Sequence, residues 1–197
     1  SSDEALKTCL AMGCTDAVLV SDPALVGSDT LGTARTLAAA ITKIGDVGVA
    51  LFGKQAIDGD SGHVPVQTAR VLGWTPLTYV SAIKSVDGDS ITVERLTDDG
   101  KETVSAKLPV VISVVKEINE PRYPSFMGIR KASKAVIPTW SAGDVGVAEI
   151  GPAAAKTDWT KVYPVPPREG EVEMITADSV EEQARILVNK LFEEKVI

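Results

Sequence analysis

Apolar positions in the first half of the chain alternate between helical spacing and short unbroken runs. Ala5-Leu6-Lys7-Thr8-Cys9-Leu10-Ala11-Met12 has the helical spacing and stops at Gly13, where a C′ glycine ends a helix. Ala17-Val18-Leu19-Val20 is a continuous run, the mark of a strand buried on both faces. Ser28-Asp29 opens a second helix through Leu31, Ala34, Leu37, Ala38 and Ile41. Residues 47–52 form another buried strand ending in Gly53. Residues 64–72 form a third helix, with Pro65 at an N1-like position and Gly73 as the stop. The order α-β-α-β-α, with strands lacking polar alternation, predicts a doubly wound, mostly parallel α/β sheet with helices on both faces and right-handed crossovers.

From Thr78 the period changes to that of strands. Residues 78–84, 90–96 and 102–107 are β-rich, and Asp87-Gly88 and Asp99-Gly100 lie between them as hairpin signals. An antiparallel meander over 78–107 is therefore expected ahead of the next buried strand, 110–115. Residues 143–170, rich in proline and small residues, read as an extended arm. A capped helix follows, with Glu181 and Glu182 in its first turn and Ala184, Leu187, Val188 and Leu191 on one face. The expected division is an α/β domain over 1–142 and an arm with a helix over 143–197.

Composition narrows the function. The 197 residues are 44% hydrophobic and 24% charged, which suits a folded domain. A formal charge of −7 argues against nucleic acid as the main partner, because phosphate neutralisation needs a surplus of Lys and Arg. No apolar run approaches the ~18 residues of a membrane span, and no signal-peptide pattern is visible. Cys9 and Cys14 match no metal or redox spacing and are read as small buried residues in a reducing compartment. His63 is the one histidine, so neither a Cys/His zinc site nor a histidine-based catalytic group is expected, and no catalytic or metal-binding residue is assigned.

Two segments carry chemistry. Gly53-Lys54-Gln55-Ala56-Ile57-Asp58-Gly59-Asp60-Ser61-Gly62-His63-Val64 lies between a predicted parallel strand and a helix, where open α/β sheets bind ligands. Its glycines permit close backbone approach, the helix start offers N–H groups to an anion, and Asp58 and Asp60 are acceptors for ribose or adenine. Asn119-Glu120-Pro121-Arg122-Tyr123-Pro124-Ser125-Phe126-Met127-Gly128-Ile129 mixes prolines with the aromatic, Met and Arg types enriched at protein contacts. On chemistry alone, Tyr123 and Phe126 are expected to tuck onto the domain. Arg130, Lys131 and Lys134 behind it read as a solvated basic face.

Together these segments resemble the beta subunit of electron-transfer flavoprotein. Gly53 to Asp60 is similar to that family's nucleotide loop, and Asn119 to Ser125 to its partner-recognition loop, here spanning 116–134. Ala5 to Gly13, the Gly73-Trp74-Thr75-Pro76 stretch and Leu108-Pro109 keep the family's order. The resemblance implies a Rossmann-like adenine-nucleotide-binding fold. It also implies a heterodimer in which an alpha subunit holds the redox-active FAD, with the arm and last helix wrapping that subunit. The chain is then an electron carrier subunit rather than an enzyme. Its donor is an acyl-CoA or other dehydrogenase, and its acceptor is quinone-linked or of another kind.

The same resemblance places AMP or a second FAD at Gly53 to Val64, and Asp58-Gly59-Asp60-Ser61 looks more like the electron-bifurcating subgroup. Asn119, Glu120, Pro121, Arg122, Tyr123, Phe126, Met127 and Ile129 become partner-binding residues, with Phe126 where many members carry a leucine anchor. His63 and Pro65 replace the family's usual Gln and Gly, and Pro65 removes one N–H from the helix start. The match begins inside the family's subunit, so the expectation is a chain lacking the first strand-helix-strand, with open strand edges and an incomplete site. The implied location is the cytoplasm, or the mitochondrial matrix in a eukaryote. A stand-alone adenine-nucleotide-binding regulatory domain of the same fold is the alternative.

Overall fold

The computed structural model describes residues 2–167, 170 and 172–197. Helix α1 (Ser2–Ala11) leads to a two-residue strand, β1 (Leu19–Val20). Helix α2 (Thr30–Ile44) follows, capped by the Asp29 carboxylate, which accepts from the Gly32 N–H at 2.9 Å. The buried face of α2 carries Ala34, Ala38 and Ala40, and such small side chains let it lie close to α3 (His63–Leu72). Between them runs β2 (Val49–Gly53).

The main sheet has five strands in the order β2-β6-β3-β4-β5. These are β3 (Thr75–Asp87), β4 (Ser90–Thr97), β5 (Gly100–Lys107) and β6 (Val110–Val114), with β6 lying between β2 and β3 and parallel to both. Val110, Val111 and Ile112 are fully buried, as their unbroken apolar run predicts. The meander is not set apart from the sheet. The first residues of β3 pair with β6, and the same strand continues past bulges to pair antiparallel with β4.

One core cluster joins Leu77, Val80, Ile91, Val93, Val110 and Ile112. The other packs Ala50 and Val111 against Ala69 of α3. The α/β class and the parallel β2-β6-β3 part of the sheet agree with the periodicity, and the meander adds two antiparallel pairings.

Three expectations are corrected. Strand β2 is an edge strand and not buried on both faces: Ala50 faces α3, whereas Leu51 on the opposite face is 61% exposed. The run at 17–20 yields only β1, half-buried and paired in parallel with β7 (Thr139–Trp140), outside the main sheet. Cys9 and Cys14 are exposed free thiols, because they fall on the outer face and the end of α1.

After β6 come α4 (Phe126–Ser133), β7 and the short α5 (Ala142–Val145), whose Ser141 and Asp144 form a capping box. Acidic caps tie distant segments together. The Asp22 carboxylate accepts from the Ala24 and Ala142 N–H groups, and Asp29 also accepts from Lys156 and Thr157. Both carboxyls are held below the usual range by these backbone bonds, led by Ala24 for Asp22 and by Gly32 for Asp29.

The chain divides into two compact units, Ser1–Asp158 and Trp159–Ile197. The second holds α6 (Val180–Glu193), capped by Ser179, with Lys190 paired to Glu173. Among the described residues no helix is long and apolar enough to cross a membrane.

Candidate functional site

Two loops leave neighbouring strands at the same end of the sheet. Gly53 of β2 lies opposite Val114 of β6, so the segments that follow them emerge side by side beyond the carboxyl ends of parallel strands. The first runs over 54–62. Asp60 takes a left-handed φ of 47°, its N–H bonds back to the Ala56 carbonyl at 2.9 Å, and its carboxylate accepts from Gln55 Nε2. The Asp58 carboxylate accepts from the Gly59 N–H at 2.8 Å. Residues 54–61 are all exposed, with Ile57 at 99%.

The helix start behind this loop is open to an anion. Gly62 is the N-cap in the left-handed region, φ 62°, a conformation glycine adopts without strain, and no side chain caps α3. The helix begins at His63, so Pro65 stands at its third residue rather than the first, and buried. Proline supplies no donor there, but the N–H groups of Gly62, His63 and Val64 at the helix start remain. A phosphate fits such an end, drawn by free N–H groups and the positive end of the helix dipole.

The second segment starts with a 3-10 turn at Lys116–Ile118 and ends in α4. Ser125 caps α4, accepting from the Gly128 N–H at 3.0 Å. Gly128 lies hard against α1: a Cβ there would come within 2.2 Å of the Ala11 carbonyl oxygen. That approach fixes how α4 presents its outer face. Tyr123 is 95% and Phe126 80% exposed, and Met127 and Ile129 are also exposed. The expectation that Tyr123 and Phe126 tuck onto the domain is overturned: α4 spends its inner face on α1 and leaves its first turn in solvent. Arg122 instead lines a cavity of about 480 Å³ between the end of α1 and this segment, shared with Cys14 and Lys131. Asn119 is held locally, its side-chain amide donating to the Glu120 carbonyl at 3.1 Å.

Lys54 departs from its neighbours. Its ammonium lies 5.3 Å from the centre of the Tyr79 ring, in a cleft with residues of β4 and of the turn after β6. Sequence reasoning missed Tyr79 and Arg95 of that cleft, because both read as ordinary strand residues. Among the described residues no cluster of three or more His, Cys, Asp or Glu is placed to hold a metal.

The sequence has relatives. The electron transfer flavoprotein domain matches residues 1–145. The chain is 40% identical to the electron transfer flavoprotein subunit beta of Megasphaera elsdenii, over 98% of this chain and 75% of that protein. The chain belongs to the electron transfer flavoprotein beta-subunit family. It is also similar to subunit CarD of the caffeyl-CoA reductase-Etf complex of Acetobacterium woodii (42% identity, 100% of this chain, 75% of that protein). A third relative is protein FixA of Bradyrhizobium diazoefficiens (36% identity, 98% and 69%). Membership gives the chain a role in electron transfer and links it to a flavoprotein.

Proposed function

We propose that this chain is the beta subunit of a heterodimeric electron carrier. It pairs with an alpha subunit that holds FAD, keeps an adenine nucleotide on the loop from Gly53 to Val64, and receives a donor dehydrogenase on α4. The observation that carries this reading is the pair of loops leaving adjacent strands at one sheet end, one with an uncapped helix start and one with an exposed apolar turn.

The flavin supplies the redox chemistry when bound, and this chain moves no bond or proton of its own. Gly62, His63 and Val64 supply phosphate donors. Asp58 and Asp60 are the acceptors for ribose or adenine, and Gln55 holds Asp60 in place. The Asp58-Gly59-Asp60-Ser61 stretch favours a second FAD over AMP as occupant.

On the other loop, Tyr123, Phe126, Met127 and Ile129 form the apolar contact, flanked by Asn119, Glu120, Pro121 and Arg122. Behind them Arg130, Lys131 and Lys134 favour an acidic partner, whose encounter rate falls as salt rises.

Purification with the alpha subunit, denaturation and mass analysis of the released nucleotides test the reading. Two FAD per heterodimer is the expected result, and FAD plus AMP makes the complex a simple carrier. A colourless complex with neither nucleotide, or no complex at all, overturns the proposal.

A further inference from the structure

A second cleft opens on the other flank of Lys54, about 710 Å³ in volume, and it is built unlike the loop beside it. Lys54, Arg95 and Lys116 contribute three cations, and Asp98 and Glu117 two carboxylates. Arg95 is shared with Glu102, which lies 3.7 Å from its Nη1, and Lys54 and Lys116 carry the remaining positive charge of the cleft. Its wall is Tyr79, whose φ of 57° lies in the left-handed region that bulky side chains avoid. The pairing of β3 with β6 slips between Leu77 and Val80 to allow this, and the Tyr79 N–H donates to the Oγ of buried Ser113 at 3.2 Å. Strain of this kind persists where the surroundings over-determine it, and it gathers at sites that hold ligands.

Arg95 brings a guanidinium to the same cleft, partly engaged within the sheet. Its Nη2 donates to Thr78 Oγ1 at 2.9 Å and its Nη1 stands 3.7 Å from Glu102. Its Nε is buried and meets no acceptor among the described residues.

We propose that this cleft binds a small-molecule oxyanion, a phosphate or carboxylate, between Lys54, Lys116 and Arg95, with any planar part of the ligand against Tyr79. The cleft adjoins the nucleotide loop and shares Lys54 with it. Lys54 serves the cleft with its side chain while its backbone continues into the loop.

The test is an amide-shift titration of the full chain, and of its complex with the alpha subunit, using inorganic pyrophosphate as the probe. Saturable shifts are expected at Tyr79, Thr97 and Lys116, with an affinity that falls as salt rises. Lys116→Ala, on an exposed turn, is expected to weaken binding by about tenfold, as the loss of one charge-assisted contact implies. Arg95→Gln is expected to do the same where the variant folds. AMP added beforehand leaves the pyrophosphate affinity unchanged. No saturable shift, shifts confined to residues 55–64, or an unaltered affinity in Lys116→Ala overturns the proposal. Loss of binding on assembly with the alpha subunit also overturns it, because the cleft is then filled by protein.

Discussion

Phe126 is the first residue of α4, just after the Ser125 cap, and is 80% exposed. Removing a ring of this size from water is worth about 2–3 kcal/mol, so an exposed phenylalanine on a fixed helix turn is suited to a partner's pocket. Phe126→Asp replaces that gain with the cost of burying a charge. The donor-dependent rate of flavin reduction in the heterodimer, as kcat/KM, is expected to fall about 30–100-fold. Heterodimer yield and nucleotide content should stay as they were, since Phe126 lies outside residues 53–64. An unchanged kcat/KM would show that donors dock elsewhere. Gly128 explains why Phe126 stands where it does. Any side chain there collides with the Ala11 carbonyl, so a residue without a side chain sets the direction of α4.

Among the elements, the meander shows how charge and pairing cooperate. Glu94 on the middle strand β4 lies 2.8 Å from Lys101 of β5 and 2.9 Å from Lys84 of β3. These bonds, Lys101 first, hold its carboxyl at about 2, below the usual carboxylate range. A group whose pKa is lowered on folding stabilises the native state above its unfolded pKa, and the effect is lost as pH falls through the folded value. Chemical denaturation of the wild type and Glu94→Gln should therefore differ most above about pH 5, where the free carboxyl is ionised. The curves should converge as pH approaches about 2. A gap that persists at the acid end would assign the effect to packing. The strands themselves were legible because β-branched runs separated by Asp-Gly leave few alternatives. Tyr79 was not legible: its left-handed backbone arises from the switch of β3 between a parallel and an antiparallel neighbour, a long-range event with no local signature. The edge position of β2 was hidden for the same reason, since an apolar run does not say which of its faces is covered.

For the whole molecule the question is which part stands alone. Both core clusters belong to the unit Ser1–Asp158, and so do both loops. The unit Trp159–Ile197 is built differently. Helix α6 has no buried residue, and Leu187, Val188 and Phe192 are exposed along it, as are Trp159, Tyr163 and Val165 ahead of it. An amphipathic helix held by a cap and scattered ion pairs gains little from its own apolar face while that face meets water. We propose that this exposed apolar surface is completed by another chain. Truncation after Asp158 should leave the first unit folded. Its midpoint of thermal unfolding should lie within about 4 °C of the full chain, the shift that roughly 1–2 kcal/mol produces at this size. Co-expressed with the alpha subunit, the truncated chain should lose most of the heterodimer that the full chain yields. Normal assembly without Trp159–Ile197 would move the subunit interface onto the first unit, with exposed Leu51 and the open edge of β2 as the surface to test next.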